Sequence, residues 1–335
     1  MRRKESVILL MLFLFPLFIS GVTIQSHAQG LPPKSIAVSV SSLAGIVKGI
    51  GGSYYNTTVL LEQEADPHAF TITPEVIAKA DDADLLVLTG HFHWEEELAN
   101  LTSTPFISFH DNNAWENYED YGAALSPMPG GEVTGDSHSG NPHAYWLLPS
   151  NALAIANATR AALTTLNASL TVEWESNFVH FSNSVIELNE LISSLDDVYG
   201  FSNKHAVVVA PAEAYVAEAF GITVDAVLQI EDITLSGLRL LEVQQAIQNG
   251  SIDLIIGSDV AQFQTGGEFA YQMQSDYGGI LIWWKTIFFA EADYFWMMNY
   301  NLGALVSGLE GRSGEVTDNT TPQVTSFAPT NAASM

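Results

Sequence analysis

Three histidines fall within one short stretch of the chain, LLEQEADPHAFTITPEVIAKADDADLLVLTGHFHW, which runs from Leu60 to Trp94. They are His68, His91 and His93, and the whole chain of 335 residues contains nine histidines. Neutral imidazole is the commonest metal ligand among protein side chains. The clustering therefore suggests a metal site, and the next question is which fold would hold it.

His68 has the same local sequence as another histidine, His143. His68 lies in ADPHAF and His143 in GNPHAYW, so a proline precedes each ring, and an alanine and an aromatic residue follow it. Proline fixes the backbone before the ring, and a ring that is already oriented loses less rotamer freedom when it binds a metal. The repeated tetrad predicts that His68 and His143 are metal ligands.

The sequence around His68 alternates between strand and helix patterns. SIAVSV (Ser35 to Val40) and NTTVLLE predict strands, and the segment between them, which ends at Gly51 and Gly52, predicts a short helix. TPEVIAKADDA predicts a second helix, with Thr73 as its N-cap and Pro74 at its first position. DLLVLTG is a continuous apolar run that ends at Gly90, as expected for a buried parallel strand. This order predicts βαβ units and a parallel sheet.

A long helical pattern follows a loop rich in Gly, Pro and Ser. It runs from Ser150 to about Leu195, is broken or kinked near NASL, and carries an apolar stripe in its second half. Alternation of strands and helices then restarts at HAVVVAP. The predicted fold class is α/β, with two lobes that each contain a small, mostly parallel sheet flanked by helices, joined by one long helix.

The expected boundaries are residues 34–170 for the N-terminal lobe, 171–197 for the linking helix and 198–309 for the C-terminal lobe. Ligands of open α/β sheets bind beyond the carboxyl ends of the strands. We therefore expect a ligand in the cleft between the lobes.

Both ends of the chain differ in composition from the lobes. Residues 1–28 begin with basic residues, continue with an apolar run and end with the small-residue sequence SHA. This pattern predicts a signal peptide and an exported protein that is periplasmic or at the cell surface. An uncleaved N-terminal anchor is the alternative. Residues 310–335 are polar and are expected to be disordered. The chain has no cysteine, which excludes disulfides and a cysteine-linked lipid anchor.

The chain is strongly acidic, with a formal net charge of −27. This charge argues against nucleic acid and anionic membranes as ligands. A solvated acidic coat accounts for most of it. Asn-x-Ser/Thr sequons are plausible glycan sites in an exported chain, and they begin at Asn56, Asn100, Asn157, Asn167, Asn249 and Asn319.

Several motifs, taken in order, resemble the cluster A-I solute-binding proteins of ABC transporters, which are receptors for zinc and manganese uptake. They are SVSSLAGIVKGIGG, ADPHAFTITPEVIAKADDADLLVLTG, NPHAYWLLPSNALAIANATRAALTTLN, EWESNF, AYVAEAFGI and YFWMMNYNLGAL, within residues 34–309. The resemblance implies two lobes with four-stranded sheets, a rigid linking helix and a metal ion between the lobes. It makes His68 and His143 the two ligands of the first lobe.

The second lobe departs from the pattern of this family. The family places His or Glu five residues before the tyrosine that matches Tyr215, where this chain has Ala210. The family's last ligand, an aspartate at the end of the final strand, would fall at Trp283 or Trp284. The tryptophan pair either packs the lobe or forms an aromatic wall that caps a metal or binds an organic ligand.

Other residues must complete the site, because two imidazoles cannot close a tetrahedral zinc site. His91 and His93 in GHFHWEEE lie on one face if that segment stays extended, and His93 is the expected third ligand. Glu213 is the carboxylate nearest to the vacated position and is the candidate in the second lobe. His138 is expected to help capture the ion and not to be a ligand in a closed site. The three glutamates of GHFHWEEE are expected to form the solvent-exposed start of a helix. We expect structural roles for His110, His180 and His205.

The leading hypothesis is an extracytoplasmic receptor that captures Zn²⁺, or Mn²⁺, and delivers it to the membrane permease of an ABC importer. Imidazole ligands favour zinc over the harder manganese ion. We expect a monomer that has no nucleic-acid partner and is not an enzyme. One alternative is a degenerate family member that binds an organic or chelated ligand or acts as a surface interaction protein. A zinc hydrolase is a third reading, which no HExxH motif supports.

Overall fold

The computed structural model describes residues 34–61, 66–129, 140–230, 233–287 and 293–311, without the side chain of Phe263. The expected signal peptide, His138 and nearly all of the expected disordered tail lie outside these residues.

The first lobe contains a parallel sheet flanked by helices. Its strands are β1 (Lys34–Val38), β2 (Tyr55–Val59), β3 (Leu85–Val87), β4 (Phe106–Ser108) and β5 (Glu116–Asn117), and its helices are α1 (Ser41–Gly51), α2 (Pro74–Asp81), α3 (His93–Leu101) and α4 (Pro149–Leu166). The strand order is β2-β1-β3-β4-β5. The sheet has five strands instead of the expected four, because the short β5 pairs with β4 at the edge.

Two sequence features of the first lobe explain its local structure. β3 and β4 are buried at every residue, as expected for strands of a parallel sheet that is covered on both faces. Thr73 caps α2, since its Oγ1 accepts the Val76 N–H at 3.4 Å, and Pro74 is the first helical residue. The predicted start of this helix is confirmed.

The second lobe repeats the α/β pattern. Its strands are β6 (His205–Val208), β7 (Thr223–Val227), β8 (Gln229–Ile230), β9 (Ile233–Thr234), β10 (Leu254–Ser258) and β11 (Ile280–Trp284), and its helices are α6 (Glu213–Ala219), α7 (Gly237–Gln248) and α8 (Thr265–Tyr277). Four strands form a parallel sheet in the order β11-β10-β6-β7, and β8 and β9 form an antiparallel pair. Gly257 in β10 is required by packing, because a Cβ there would lie 2.2 Å from the Trp283 ring.

The linking helix α5 (Thr171–Tyr199) is 29 residues long. It is separated from α4 by a 3-10 turn at Ala168–Leu170, close to the predicted break at NASL. Its buried side chains lie at helical spacing on one face: Trp174, Phe181, Val185, Leu188, Ile192 and Leu195. Gly200 ends the helix in the left-handed conformation, with φ 67°, that favours glycine.

The last helix, α9 (Tyr294–Leu309), packs against the first lobe as well as the second sheet. It approaches α1 so closely that a Cβ at Gly45 would lie 2.4 Å from the Tyr294 nitrogen. One hydrophobic core contains residues of both lobes, and a smaller core lies within the second lobe. Within the described residues, no helix combines the length and apolar character that a membrane span needs.

Candidate metal centre

Three imidazoles converge at the cleft side of the first lobe. One ligating nitrogen from each of His68, His91 and His143 lies within 4.8 Å of the other two. The ring centroids of His91 and His143 are 4.5 Å apart. The ring centroid of His68 lies 5.0 Å from that of His91 and 5.4 Å from that of His143. Tetrahedral Zn–N bonds of about 2.0 Å would place the nitrogens about 3.3 Å from one another, so the rings must move closer together when they bind an ion.

The two Pro-His-Ala tetrads form the same kind of turn. The Asp66 Oδ1 accepts the His68 N–H at 2.9 Å, and the Asn141 Oδ1 accepts the His143 N–H at 3.1 Å. These are Asx turns, in which a side-chain oxygen binds a backbone amide two residues on. The residue before each proline therefore helps to position the ring, and this Asx-Pro-His signal can be read in the sequence.

The backbone immediately after His143 is strained. Ala144 is buried and has φ 57°, the left-handed conformation that residues other than glycine rarely adopt. The turn is held by Tyr145, whose hydroxyl donates to the Thr89 carbonyl at 2.7 Å. Strain of this kind persists where the surrounding structure enforces it, often at functional sites.

The Asn141 side chain determines which His143 nitrogen can bind a metal. The carboxamide orientation is fixed, since its oxygen accepts the His143 N–H and its nitrogen donates to the Pro211 carbonyl at 2.9 Å. That oxygen also lies 2.9 Å from the His143 Nδ1, so Nδ1 must carry the proton. The lone pair is then on Nε2, which is buried and has no hydrogen-bond partner among the described residues.

His91 is positioned by a buried carboxylate, Glu95. The Glu95 oxygens accept the Thr89 amide at 2.7 Å, the Thr89 hydroxyl at 2.6 Å, and the His91 and Phe92 amides at 3.1 Å each. Burial raises the pKa of Glu95, and the hydrogen bonds oppose that shift. The expectation of a solvated helix start is wrong for Glu95, which is 1% exposed, although Glu96 and Glu97 are exposed.

The structure brings His91, and not His93, to the cluster. The extended conformation assumed for this segment ends at Phe92, because Glu95 caps the helix that begins at His93. Helix formation turns the exposed His93 away from the face occupied by His91. The His91 Nε2, like that of His143, is buried and lacks a hydrogen-bond partner in the described part of the chain.

A further hydrogen bond ties the His68 loop to α3. The Trp94 Nε1 donates to the Pro67 carbonyl at 3.1 Å. Together with the Tyr145–Thr89 bond, it links the loops of all three histidines. The loops that carry the three rings are therefore tied together by hydrogen bonds within the protein.

The protonation states also suit metal binding. Burial, together with the neighbouring His143 and His68, lowers the pKa of His91 to about 2. Burial, together with the neighbouring His68, lowers the pKa of His143 to about 3. Imidazole must be neutral to bind a metal, so His91 and His143 are ready to bind at neutral pH.

The second lobe forms the opposite wall of a cavity of about 70 Å³. Its contribution includes Ala210, Pro211, Ala212, Gln229, Ser258, Val260 and Gln264, and none of these residues is an imidazole or a carboxylate. The structure therefore agrees with the absence of the family's usual second-lobe ligands from the sequence.

Glu213, the ligand expected from the second lobe, is turned away from the cavity. It is fully buried, and its Oε2 accepts the Ala210 N–H at 2.7 Å. Burial raises its pKa to about 8, against the hydrogen bond from the Ala210 amide, which lowers it. The carboxyl group is then mostly protonated at neutral pH, and the structure keeps it outside the imidazole cluster.

The tryptophan pair does not line this cavity. Trp284 packs in the core that contains both lobes, against Phe220, and Trp283 packs in the second-lobe core, against Tyr271. The packing interpretation of the pair is therefore the one that the structure supports. An aromatic wall for an organic ligand is not present in the described part of the cleft.

The remaining described histidines lie away from the cluster. His110 is paired with Glu119 and His205 with Asp225, and His180 is exposed on α5. All three are at the surface, and none contributes to the imidazole cluster.

The fold and the site together define a solute-binding protein of the cluster A-I type. The sequence profile of the family described as "ZnuA: Zinc-uptake complex component A periplasmic" matches residues 36–308. The chain belongs to this family. No curated protein sequence matches the chain significantly.

Solved structures with the same fold include proteins crystallised with either of two metals. A zinc-bound ZnuA deletion mutant is 18% identical, with a TM-score of 0.62 over 85% of this chain and 99% of that one. The solute-binding protein FpvC from Pseudomonas aeruginosa, in complex with Mn²⁺, is 17% identical, with a TM-score of 0.66 over 83% and 99%. A Mn-bound periplasmic metal-binding protein from Candidatus Liberibacter asiaticus is 21% identical, with a TM-score of 0.62 over 82% and 99%.

Proposed function

We propose that this protein is an extracytoplasmic receptor that captures Zn²⁺ in the cleft between its lobes and delivers it to the permease of an ABC importer. The observation that carries the proposal is the convergence of His68, His91 and His143 on one cavity. Membership of a periplasmic zinc-uptake family supports both the location and the partner.

The chemistry of the donor atoms favours zinc. Imidazole nitrogen suits Zn²⁺, whereas carboxylate and water oxygens suit the harder Mn²⁺. The three converging donors are all imidazoles, and the carboxyl group of Glu213 lies outside them. Two of the rings present a buried, unpartnered Nε2 within the described structure, and a zinc ion would satisfy both atoms.

Binding would need little rearrangement of the first lobe. Asx turns hold His68 and His143, and the Glu95 carboxylate holds the backbone at His91. A preorganised site loses less conformational entropy when the ion binds. The function is therefore capture and release of an ion, and no covalent chemistry is required.

Thermal unfolding of metal-stripped protein with and without zinc tests this proposal. A ligand at about a thousand times its dissociation constant stabilises the folded state by about 4 kcal/mol, so the melting temperature should rise. His68→Ala and His143→Ala should abolish the rise. The matched controls His180→Ala and His205→Ala should retain it, because both residues are exposed and outside the cluster. A melting curve that zinc leaves unchanged would contradict the proposal.

A further inference from the structure

The cleft has room for more than a metal ion. A cavity of about 70 Å³ can hold several water molecules, since one needs roughly 10–15 Å³. Three imidazoles leave one position of a tetrahedral zinc site open. The second-lobe wall facing that position offers neutral polar groups instead of a fourth metal ligand.

The charge of the bound ion is also uncompensated by its ligands. Three neutral imidazoles leave the full double positive charge of the ion in a partly buried cleft, where an unpaired charge is costly. The carboxyl group of Glu213 is turned away. Among the described residues that line the cavity, Asp66 is the one acidic residue, and its Oδ1 accepts the His68 amide within its own turn. The site therefore has space and charge for an anion beside the metal.

Gln264 is placed to hold such an anion. It lines the cavity, and within the described chain its carboxamide makes no hydrogen bond. It is also the N-cap residue of α8, a helix of 13 residues. The N-terminus of a helix carries partial positive charge and favours anions. The Gly266 amide at this helix end already donates to the Gln229 Oε1 at 2.6 Å, so the Gln264 carboxamide is the donor that faces the same cavity as the buried Nε2 atoms of His91 and His143.

We propose that a small carboxylate anion from solution fills the fourth coordination position of the bound metal and is held by Gln264 from the second lobe. This inference rests on the proposed function, because it requires metal at the three histidines. The second lobe would then contact the metal through the anion and supply no ligand of its own. The solute bound in the cleft would be a metal ion together with an anion.

Cobalt provides a probe that separates this inference from the proposed function. Tetrahedral Co²⁺ replaces zinc and has a visible spectrum that reports its ligands. The full protein is loaded with Co²⁺ and titrated with sodium acetate at constant ionic strength in perchlorate. Acetate should change the spectrum until its binding saturates. It should also strengthen Co²⁺ binding, by about tenfold when acetate is present at ten times the acetate dissociation constant.

Two variants complete the test. Gln264→Ala should weaken acetate binding on the order of tenfold, as expected for losing a hydrogen bond to a charged group. Gln272→Ala, an exposed glutamine of the same helix, should behave as the wild type. Co²⁺ binding with a spectrum that acetate does not alter would overturn the anion and leave the metal site intact. Failure to bind Co²⁺ would overturn both proposals.

Discussion

Asn141 joins His143 to the second lobe. Its carboxamide oxygen lies 2.9 Å from the His143 Nδ1, and its carboxamide nitrogen donates to the Pro211 carbonyl across the cleft at 2.9 Å. Its backbone carbonyl also accepts the Tyr215 hydroxyl at 2.5 Å. A metal on Nε2 makes Nδ1–H a stronger donor. One side chain thus connects a metal ligand with the wall of the opposite lobe.

Asn141→Ala should weaken zinc binding by about 10–100-fold, the usual cost of losing the partner of a metal-binding histidine. The His143 ring would lose its fixed tautomer and orientation. Competition with a chromophoric chelator measures the affinity. Asn100→Ala changes an exposed asparagine and is the control. Unchanged affinity in Asn141→Ala would show that the ring is held by other contacts.

Asn141→Asp separates the two roles of this side chain. A carboxylate still accepts from His143 but cannot donate to the Pro211 carbonyl, which it would repel. We expect zinc affinity within a few-fold of the wild type, together with a lower free energy of unfolding of the metal-free protein by about 1–3 kcal/mol. Urea denaturation measures this difference. If the variant is as stable as the wild type, the hydrogen bond to the Pro211 carbonyl does not stabilise the contact between the lobes.

Glu95→Gln should impair zinc binding without changing any ligand. Glutamine keeps only one oxygen, so its amide nitrogen would face either the Thr89 amide or the His91 and Phe92 amides, and the donors on that side would lose their acceptor. Each unsatisfied buried donor costs about 1–3 kcal/mol, so the turn carrying His91 should loosen. We expect lower stability and at least about tenfold weaker zinc binding. Glu96→Gln, on the exposed side of the same helix, should change neither quantity.

Glu213 should give the metal-free protein a stability that falls as pH rises. Its pKa is about 8 in the folded protein and near 4.5 when exposed, so between these values the folded state binds more protons than the unfolded state. Stability then declines with rising pH, by up to about 1.4 kcal/mol per pH unit for one proton. Glu213→Gln should reduce this decline between pH 6.5 and 8, above the range in which the lowered pKa values of His91 and His143 make stability rise with pH, as measured by urea denaturation.

The exposed Glu218 on the same helix provides the control for this prediction. Glu218→Gln should keep the pH dependence of the wild type. Zinc affinity should change little in Glu213→Gln, since Glu213 lies outside the imidazole cluster. A large loss of zinc affinity would show that the second lobe moves this carboxylate to the metal.

Local sequence was sufficient to predict two of the three clustered histidines. The Asx-Pro-His-Ala pattern forms its turn from its own residues, so His68 and His143 could be identified before the fold was known. The choice between His91 and His93 depended on where α3 begins. That start is set by Glu95, whose burial depends on the packed lobe and is not visible in local charge patterns.

The alternation of strands and helices likewise predicted both lobes and the long helix, because each element carries its own hydrophobic period. The edge strand β5 was missed, since Glu116–Asn117 has no strand pattern and pairs only because β4 lies beside it. The position of the tryptophan pair was also unpredictable. It depends on space left by Gly257 on the neighbouring strand.

The zinc affinities of His91→Ala and His93→Ala, measured by competition titration on metal-stripped protein, test the three-histidine site most directly. His91→Ala should lose more than about a hundredfold, since even the partner of a ligand is worth 10–100-fold. His93→Ala should stay within about twofold of the wild type, because His93 is exposed at the start of α3. The opposite order of losses, or zinc binding that neither variant weakens, would contradict the three-histidine site.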